Sequence, residues 1–332
     1  MKKKFIVDDF NKLEIFDIDI NHLRSKHFYK NALINRDFYY KKYNKYLNTK
    51  SNICHLCKKK QNSKFLSYKK YQLRKCKKCG VIFNNLNITK FQTSDFFKKN
   101  KINFKDFKEE MIKTFNYRKK NFGLERLRYI KNKIFPNRKN FNVLDLGCGS
   151  GYFISVLKDN NIKNKGIDLD SSRINFCKSK KLNVQVSNLS DEKNNTYDLI
   201  TMFDAIEHFY DPIKELKIAA KKLKPKSFIL AYTPNIHSLS FELMRSDLNL
   251  LAVFRHICFF NYNSLRYLSK KAGLKIKSIE YYGLDVKDYF QSIEFKQNIK
   301  LNNRLKHFAD LTQSIIDNQK LSNSMRIIFQ KI

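Results

Sequence analysis

Tryptophan is absent from the 332-residue chain, proline occurs four times and glycine eight. Acidic residues are also few, 30 against 67 lysines and arginines, which leaves a formal net charge of +37. A charge of that size ordinarily points to a polyanionic partner. Here it is spread over most segments, and it accompanies an abundance of Lys, Asn, Ile, Phe and Tyr that an A/T-rich genome imposes everywhere in a chain. The charge is therefore no footprint by itself, and nucleic acid is a partner not favoured. No apolar run approaches the roughly 18 residues of a membrane-spanning helix. The start, MKKKFIVDDF, has too short an apolar stretch before Asp8 and Asp9 for a secretory signal. A cytoplasmic location is expected, in which seven cysteines point to metal or inert thiols more than to disulfides.

Against that scarcity, three of the eight glycines fall within five residues, Gly147, Gly149 and Gly151 in NVLDLGCGSGY. Val143, Leu144 and Leu146 before them suit a strand buried on both faces. Ile154, Val156 and Leu157 after them open a helix. Such a strand, turn and helix brings free backbone N–H groups close to a ligand. A dinucleotide fingerprint would place its third glycine at 152, where Tyr152 stands, and the nicotinamide reading weakens.

The spacing predicts strands over 142–147, 163–168, 183–187, 197–203 and 227–233. Helices are predicted over 151–159, 171–180 and 212–223. Asp211 serves as the N-cap of the third of these and Pro212 as its first residue. A helix over 263–272, a strand LKIKSIEYY, a tail helix through Leu301, Leu305, Phe308, Leu311 and Ile315, and a final strand SMRIIFQKI follow. This alternation implies a doubly wound α/β sheet with helices on both faces. Phe122, Leu124, Leu127, Tyr129, Ile130 and Ile134 read as an amphipathic helix ending near Pro136.

Four cysteines form two pairs, Cys54 and Cys57, then Cys76 and Cys79 after eighteen residues. This is zinc-site spacing, with Gly80 in the turn after the second pair and Lys58 in the equivalent place after the first. Four thiolates leave no open position, so the expected role is structural. A redox pair is the competing reading, without the βαβ setting it needs. Tyr71 and Leu73, then Val81, Ile82 and Phe83, read as ribbon strands. Further upstream, Phe16, Ile18 and Ile20 alternate with Asp17 and Asp19 as a short half-exposed strand. Residues 23–47 mix basic and aromatic side chains without a clean period. Stacking on unpaired bases is one reading of that mixture; aromatics packed between domains is the one favoured.

The runs VLDLGCGSGYF, GIDLD at 166–170, YDLITMFDAIEHF at 197–209 and LKPKSFILAYTPN at 223–235 together resemble the class I S-adenosylmethionine-dependent methyltransferases. The closest likeness is to a bacterial small-molecule branch with an N-terminal cysteine-pair module, often linked to sugar and surface-glycan modification. The resemblance implies a mostly parallel, Rossmann-like seven-stranded sheet, with one antiparallel member, and a small N-terminal zinc ribbon. It divides the chain into an unassigned extension (1–50), the ribbon (51–90), a helical connector covering the cofactor (91–140) and the methyltransferase domain (141–332). S-adenosylmethionine and structural zinc are the cofactors it implies.

On that resemblance the turn from Asp145 through Gly147, Cys148, Gly149 and Gly151 holds the methionine end of the cofactor. Asp168 accepts hydrogen bonds from the ribose diol, with Leu169, Asn188 and Phe203 beside the adenine and the cleft. A carboxylate suits a diol, because it offers two acceptor oxygens and no donor. His208 is the lead general-base candidate, with a structural or substrate-orienting role as the equal alternative. Glu207 and His256 complete the catalytic candidates, and Glu207 with His208 offers a thin site for a divalent cation. The thiols of Cys148 and Cys177 are expected to be packed. Cys54, Cys57, Cys76 and Cys79 are the metal ligands.

The expected reaction is methyl transfer to oxygen or carbon of a small molecule, such as a nucleotide- or lipid-linked sugar. An RNA methyltransferase is the alternative that the charge favours. MFDAIEH lacks the Asn or Asp, two prolines and aromatic expected of base amino-methyltransferases. A non-catalytic binding module is the third reading, opposed by the intact glycine turn and Asp168. Oligomeric state is not legible.

Overall fold

The computed structural model describes residues 18–24, 28–47, 52–87, 112–252 and 254–332. Its centre is a seven-stranded sheet in the order β6-β5-β4-β7-β8-β11-β10. The strands are β4 (Asn142–Leu146), β5 (Lys163–Asp168), β6 (Val184–Val186), β7 (Tyr197–Phe203), β8 (Leu223–Pro234), β10 (Leu274–Tyr282) and β11 (Ser324–Lys331). β4 through β8 run parallel, and β11 is antiparallel to both its neighbours.

Alternation along the strands supplies two cores. Val143, Leu199, Leu230 and Ile328 belong to one buried cluster, and Leu144, Ile200, Ile229 and Ile327 to the other. Successive side chains of a strand point to opposite faces, and both faces here are covered, which is why these strands read as continuous apolar runs. Predicted and observed elements differ by a residue or two at most ends. Two elements differ by more: β8 starts four residues early, because Tyr197 pairs with Leu223 ahead of a register shift, and the tail helix begins at Lys306, after Leu301 and Leu305. The helix Asp285–Gln297 has no counterpart in the expected pattern, nor has the short one over Leu239–Met244; the former is the longer. Beside Val286 and Phe290, the Asp285–Gln297 helix buries Asp285, Lys287, Asp288 and Ser292, polar groups held in hydrogen bonds, so its apolar period is faint.

The second sheet belongs to the ribbon: β1 (Asn62–Tyr68), β2 (Tyr71–Cys76) and β3 (Ile82–Asn84) in antiparallel order. Its fourth strand, β9 (Cys258–Phe259), comes from the far side of the chain, pairing Phe83 with Cys258 and Ile82 with Phe259. Leu73, Val81, Ile82 and Phe83 share one buried cluster with Leu144, Ile200 and Phe259, so the ribbon packs on a face of the large sheet.

Residues 28–43 form a helix, which the mixed basic and aromatic period did not announce. Its Tyr29, Tyr39 and Tyr43 are buried in that same cluster, which is the packing role favoured from sequence. The strand expected through Ile18 and Ile20 is not formed: Ile20–Leu23 is a helical turn. Ile18, Ile20 and Leu23 are all buried, against Tyr117, Phe122 and Leu284, and tertiary packing overrides the local alternation. Phe16 and Asp17 lie outside the described residues, as does 88–111 of the ribbon's end and the connector.

The connector helix, α3, runs from Phe115–Arg118 to Ile130–Ile134 and contains two π-turns, Lys119–Gly123 and Ile130–Ile134. Gly123 is where it meets α4 (Tyr152–Asp159): a Cβ there would stand 2.7 Å from Val156 Cγ2. That close approach lays α3 beside the glycine turn. Among the described residues, no helix is long and apolar enough to cross a membrane.

Candidate functional site

The order of strands reverses at β4, whose neighbours β5 and β7 lead to opposite edges. Ligands of open α/β sheets bind beyond the carboxyl ends of the strands at such a switch point. All the sequence-expected cofactor residues are on those ends. Gly147, Gly149 and Gly151 have φ of 76°, 57° and 74°, left-handed values that side chains with a Cβ rarely adopt. Gly147 and Cys148 donate their N–H groups to Ile167 O at 2.8 and 3.1 Å. Gly151 caps α4, and a Cβ on it would meet Cys177 Sγ and Leu182 Cδ1 at 2.8 Å. At Gly149 a Cβ would meet only Gly147 O, at 4.0 Å, so this glycine borders open space.

Asp168, at the end of β5, accepts from Gly149 N (3.0 Å) through Oδ2 and from Asp170 N (2.9 Å) through Oδ1. Each oxygen keeps a further lone pair for a ligand. Leu169 is 64% exposed at the rim. The Cys148 side chain is buried at Gly166, whose Cβ position it crowds at 3.0 Å, so only its backbone faces the turn. Asn188 is exposed at the end of β6, where its side chain and that of Asp191 cap a short turn reciprocally. Phe203 closes β7 in edge contact with Phe153 and Tyr232, at 5.1 and 4.7 Å between ring centres. Asp145 is buried, accepts from Thr201 Oγ1 at 2.6 Å, and is pushed up to about 6 by that burial.

Arg126 is the side chain that sequence reasoning missed. It is buried on α3, lies 3.9 Å above the Phe203 ring, donates to Tyr152 Oη and leaves Nε without a hydrogen-bond partner. The available signal was an arginine three residues after Gly123 and four before Ile130, on the apolar face of an amphipathic helix.

Beyond β7 the catalytic candidates converge. Glu207, His208 and His256 place one ligand atom each within 4.8 Å of one another. His208 Nδ1 faces Arg255 O at 2.8 Å and His256 Nδ1 faces Leu250 O at 2.7 Å. A carbonyl only accepts, so both rings carry their proton on Nδ1 and leave Nε2 with a lone pair. Burial, reinforced by the Arg255 cation, holds His208 down to about 4. Burial and then His208 lower His256, while burial and then Asp204 raise Glu207. Glu207 Oε2 accepts from Thr233 Oγ1 at 3.1 Å; Oε1 has no partner and lies 4.0 Å from His256 Nε2. Asp204, ahead of them, has a left-handed φ of 54°.

In the ribbon, Cys54, Cys57, Cys76 and Cys79 bring their Sγ atoms within 4.8 Å of one another. The Cys54–Cys79 and Cys57–Cys76 separations are 3.6 and 3.4 Å. A disulfide needs about 2.05 Å, whereas thiolates about 2.3 Å from one tetrahedral ion stand about 3.8 Å apart. The two knuckles match: Lys58 N and Gly80 N donate to Cys54 O and Cys76 O, with φ of 60° and 76°. Lys58 thus adopts the glycine conformation that its position requires.

Residues 117–279 match the family described as Methyltransferase domain. A ubiquinone biosynthesis O-methyltransferase of Nitrosospira multiformis is 27% identical over 153 residues, which are 42% of this chain and 64% of that protein. An uncharacterised protein of Methanocaldococcus jannaschii is 33% identical over 115 residues, 35% of this chain and half of its own. The chain thus spans under two thirds of the length of these relatives. A solved S-adenosylmethionine-dependent methyltransferase of Archaeoglobus fulgidus superposes with a TM-score of 0.42 at 22% identity, over 62% of this chain and 94% of that one. The stretch that matches the methyltransferase domain family lies across the switch point and its glycine turn, within a doubly wound, Rossmann-like sheet.

Proposed function

We propose that the protein transfers a methyl group from S-adenosylmethionine to a hydroxyl oxygen of a small molecule, with a divalent cation held by Glu207, His208 and His256. The observation that carries the reading is Glu207 Oε1: a buried carboxylate oxygen with no hydrogen-bond partner, 4.0 Å from His256 Nε2, in a cluster that also brings a ligand atom of His208 within 4.8 Å. An unpaired buried anion is costly, and a cation among these ligands removes that cost. The Nδ1–H to carbonyl bonds are the supporting contacts that metal-ligating histidines generally make. A free imidazole held near 4 is a poor acceptor for a hydroxyl proton, which favours the cation over His208 acting alone as base.

The cofactor supplies an electrophilic methyl on sulfur. Asp168 would accept the ribose hydroxyls, with Leu169, Asn188 and Phe203 along the nucleoside. Asp145 would meet the ammonium group and Arg126 the carboxylate, while the glycine turn, its own N–H groups held by Ile167 O and Asp168, lets the backbone come close between them. A cation held by these residues would lower the pKa of the acceptor hydroxyl, whose proton would pass to solvent as its oxygen takes the methyl and the thioether leaves. The chain's part is then alignment: α3 closes one side of the cleft, and the Glu207 cluster orients the acceptor. The ribbon ligands suit zinc, in a closed structural site.

Oxygen as the acceptor atom is supported by relatives named as ubiquinone biosynthesis O-methyltransferases. A sugar nucleotide or lipid-linked glycan is the alternative acceptor class. The test is transfer of radiolabelled methyl from S-adenosylmethionine to a panel of catechols and hydroxylated sugars, with and without chelator. Chelator-sensitive labelling of a hydroxyl is expected. Full turnover in chelator would remove the cation, and absence of cofactor binding by calorimetry would remove the enzymatic reading altogether.

A further inference from the structure

The ribbon is tied to the Glu207 cluster by one buried side chain. Asn84, the last residue of β3, is fully buried and donates from Nδ2 to His256 O at 3.0 Å and from its backbone N to Ile257 O at 3.2 Å. Ile257 N in turn donates to Glu207 O at 2.8 Å. On the other side, His55 Nε2 donates to Asn84 O at 2.9 Å and sits 3.3 Å from Asn84 Oδ1. His55 is the residue between Cys54 and the rest of the first knuckle, and its ring packs edge-on against Phe83. Cys54, His55, Asn84 and His256 therefore form a continuous line from the four-cysteine cluster to the cleft. β9 adds two further pairs immediately after Ile257.

We infer that Asn84 is a positioning residue for His256, and that the cysteine ribbon is a wall of the acceptor site, acting through Asn84. The inference rests on the Glu207, His208 and His256 cluster being the acceptor end of the site. Its physical basis is that the His256 segment has little regular structure of its own. His256 N is held by Ala252 O and its ring by Leu250 O, both within the same loop. Ile257 N and Arg255 O join this loop to Glu207 and His208, and the bonds from Asn84 are what fix it to the β3 edge. Catalytic constellations need placement within about half an ångström, which such outer contacts provide.

The test uses the full chain with its ribbon metal loaded. Ring 1H–15N spectra report whether the His256 Nδ1–H is protected from exchange by Leu250 O, and titration with Mn2+ reports the Glu207 cluster. Asn84→Ala is expected to expose the His256 Nδ1–H and to weaken Mn2+ about tenfold or more. Ribbon metal content and cofactor affinity stay unchanged. His55→Phe should shift the same signal more mildly, and His55→Gln, which keeps a donor towards Asn84 O, should restore it. If Asn84→Ala fails to fold, judged by lost cofactor binding, the His55 pair decides. A His256 Nδ1–H as protected as in the wild type in both Asn84→Ala and His55→Phe overturns the inference. Should the wild-type chain bind no Mn2+, the cation reading falls and the ring spectra alone decide this one.

Discussion

Glu207 Oε1 and His256 Nε2 face each other across 4.0 Å, the carboxylate oxygen without a hydrogen bond and both residues buried. Without a cation this is a cost, because burial and then Asp204 work against the Glu207 charge. Glu207→Gln is therefore expected to leave thermal stability unchanged or raised in the absence of metal, while weakening Mn2+ about 10- to 100-fold. Melting curves and metal titration measure the two. A Gln variant that melts much lower and binds Mn2+ normally would make Glu207 structural.

Asp168→Ala should weaken S-adenosylmethionine by about tenfold to a hundredfold, at about 1.5–3 kcal/mol for a hydrogen bond to a charged group. Circular dichroism should be unchanged. Arg126→Leu should weaken the cofactor while leaving analogues that lack its carboxylate less affected. Equal loss for both ligands would place Arg126 in packing with Phe203 and Tyr152 alone.

Asp145 gives a pH signature. Its folded pKa, about 6 through burial, lies above the ordinary carboxylate value near 3.9. The folded state then binds more protons than the unfolded one between these values. Its stabilising contribution is fully present below about pH 4 and is lost as pH rises through about 6, on the order of 2–3 kcal/mol in all. The Asp145→Asn chain should show a flatter stability profile over that window. If Asp145 meets the cofactor ammonium, binding near pH 6 should also release a proton. Calorimetry in buffers of different ionisation enthalpy reads this, and Asn should abolish it.

The ribbon should hold about one metal ion per chain by elemental analysis. Cys76→Ser should lose it and lower stability on the order of 3 kcal/mol, a fall of about 5–10 °C. The effect should reach the whole chain in one transition, since Cys54, Cys76 and Cys79 share their buried cluster with Leu144 and Ile200 of the large sheet. A separate early transition for the ribbon would contradict that.

Gly151→Ala should cost about 1–3 kcal/mol from its φ of 74° alone, with the contacts to Cys177 and Leu182 adding to it. Gly149→Ala, which meets no side chain, should fold better and bind cofactor worse. The comparison of melting and calorimetry separates the turn's structural glycine from the one that borders the ligand.

What the sequence determined by itself was everything written in local periods and short spacings. The runs around Val143 and Leu199 alternate between two buried faces, so they had to be central strands of a covered sheet. Gly147, Gly149 and Gly151, Asp168 and the two cysteine pairs announced themselves because few residue types tolerate those backbone angles or offer those ligands. Glu207 and His208 were legible as neighbours. Tertiary structure alone decided that His256, 48 positions beyond His208, joins them, and that Phe83 and Asn84 of the ribbon hold its loop. It also placed Arg126 over Phe203, and turned Ile18 and Ile20 from an expected strand into a buried helical turn. The reason is physical: local pattern fixes which face of an element is apolar. Which distant element covers that face depends on packing between segments far apart in the chain, and no local period records it.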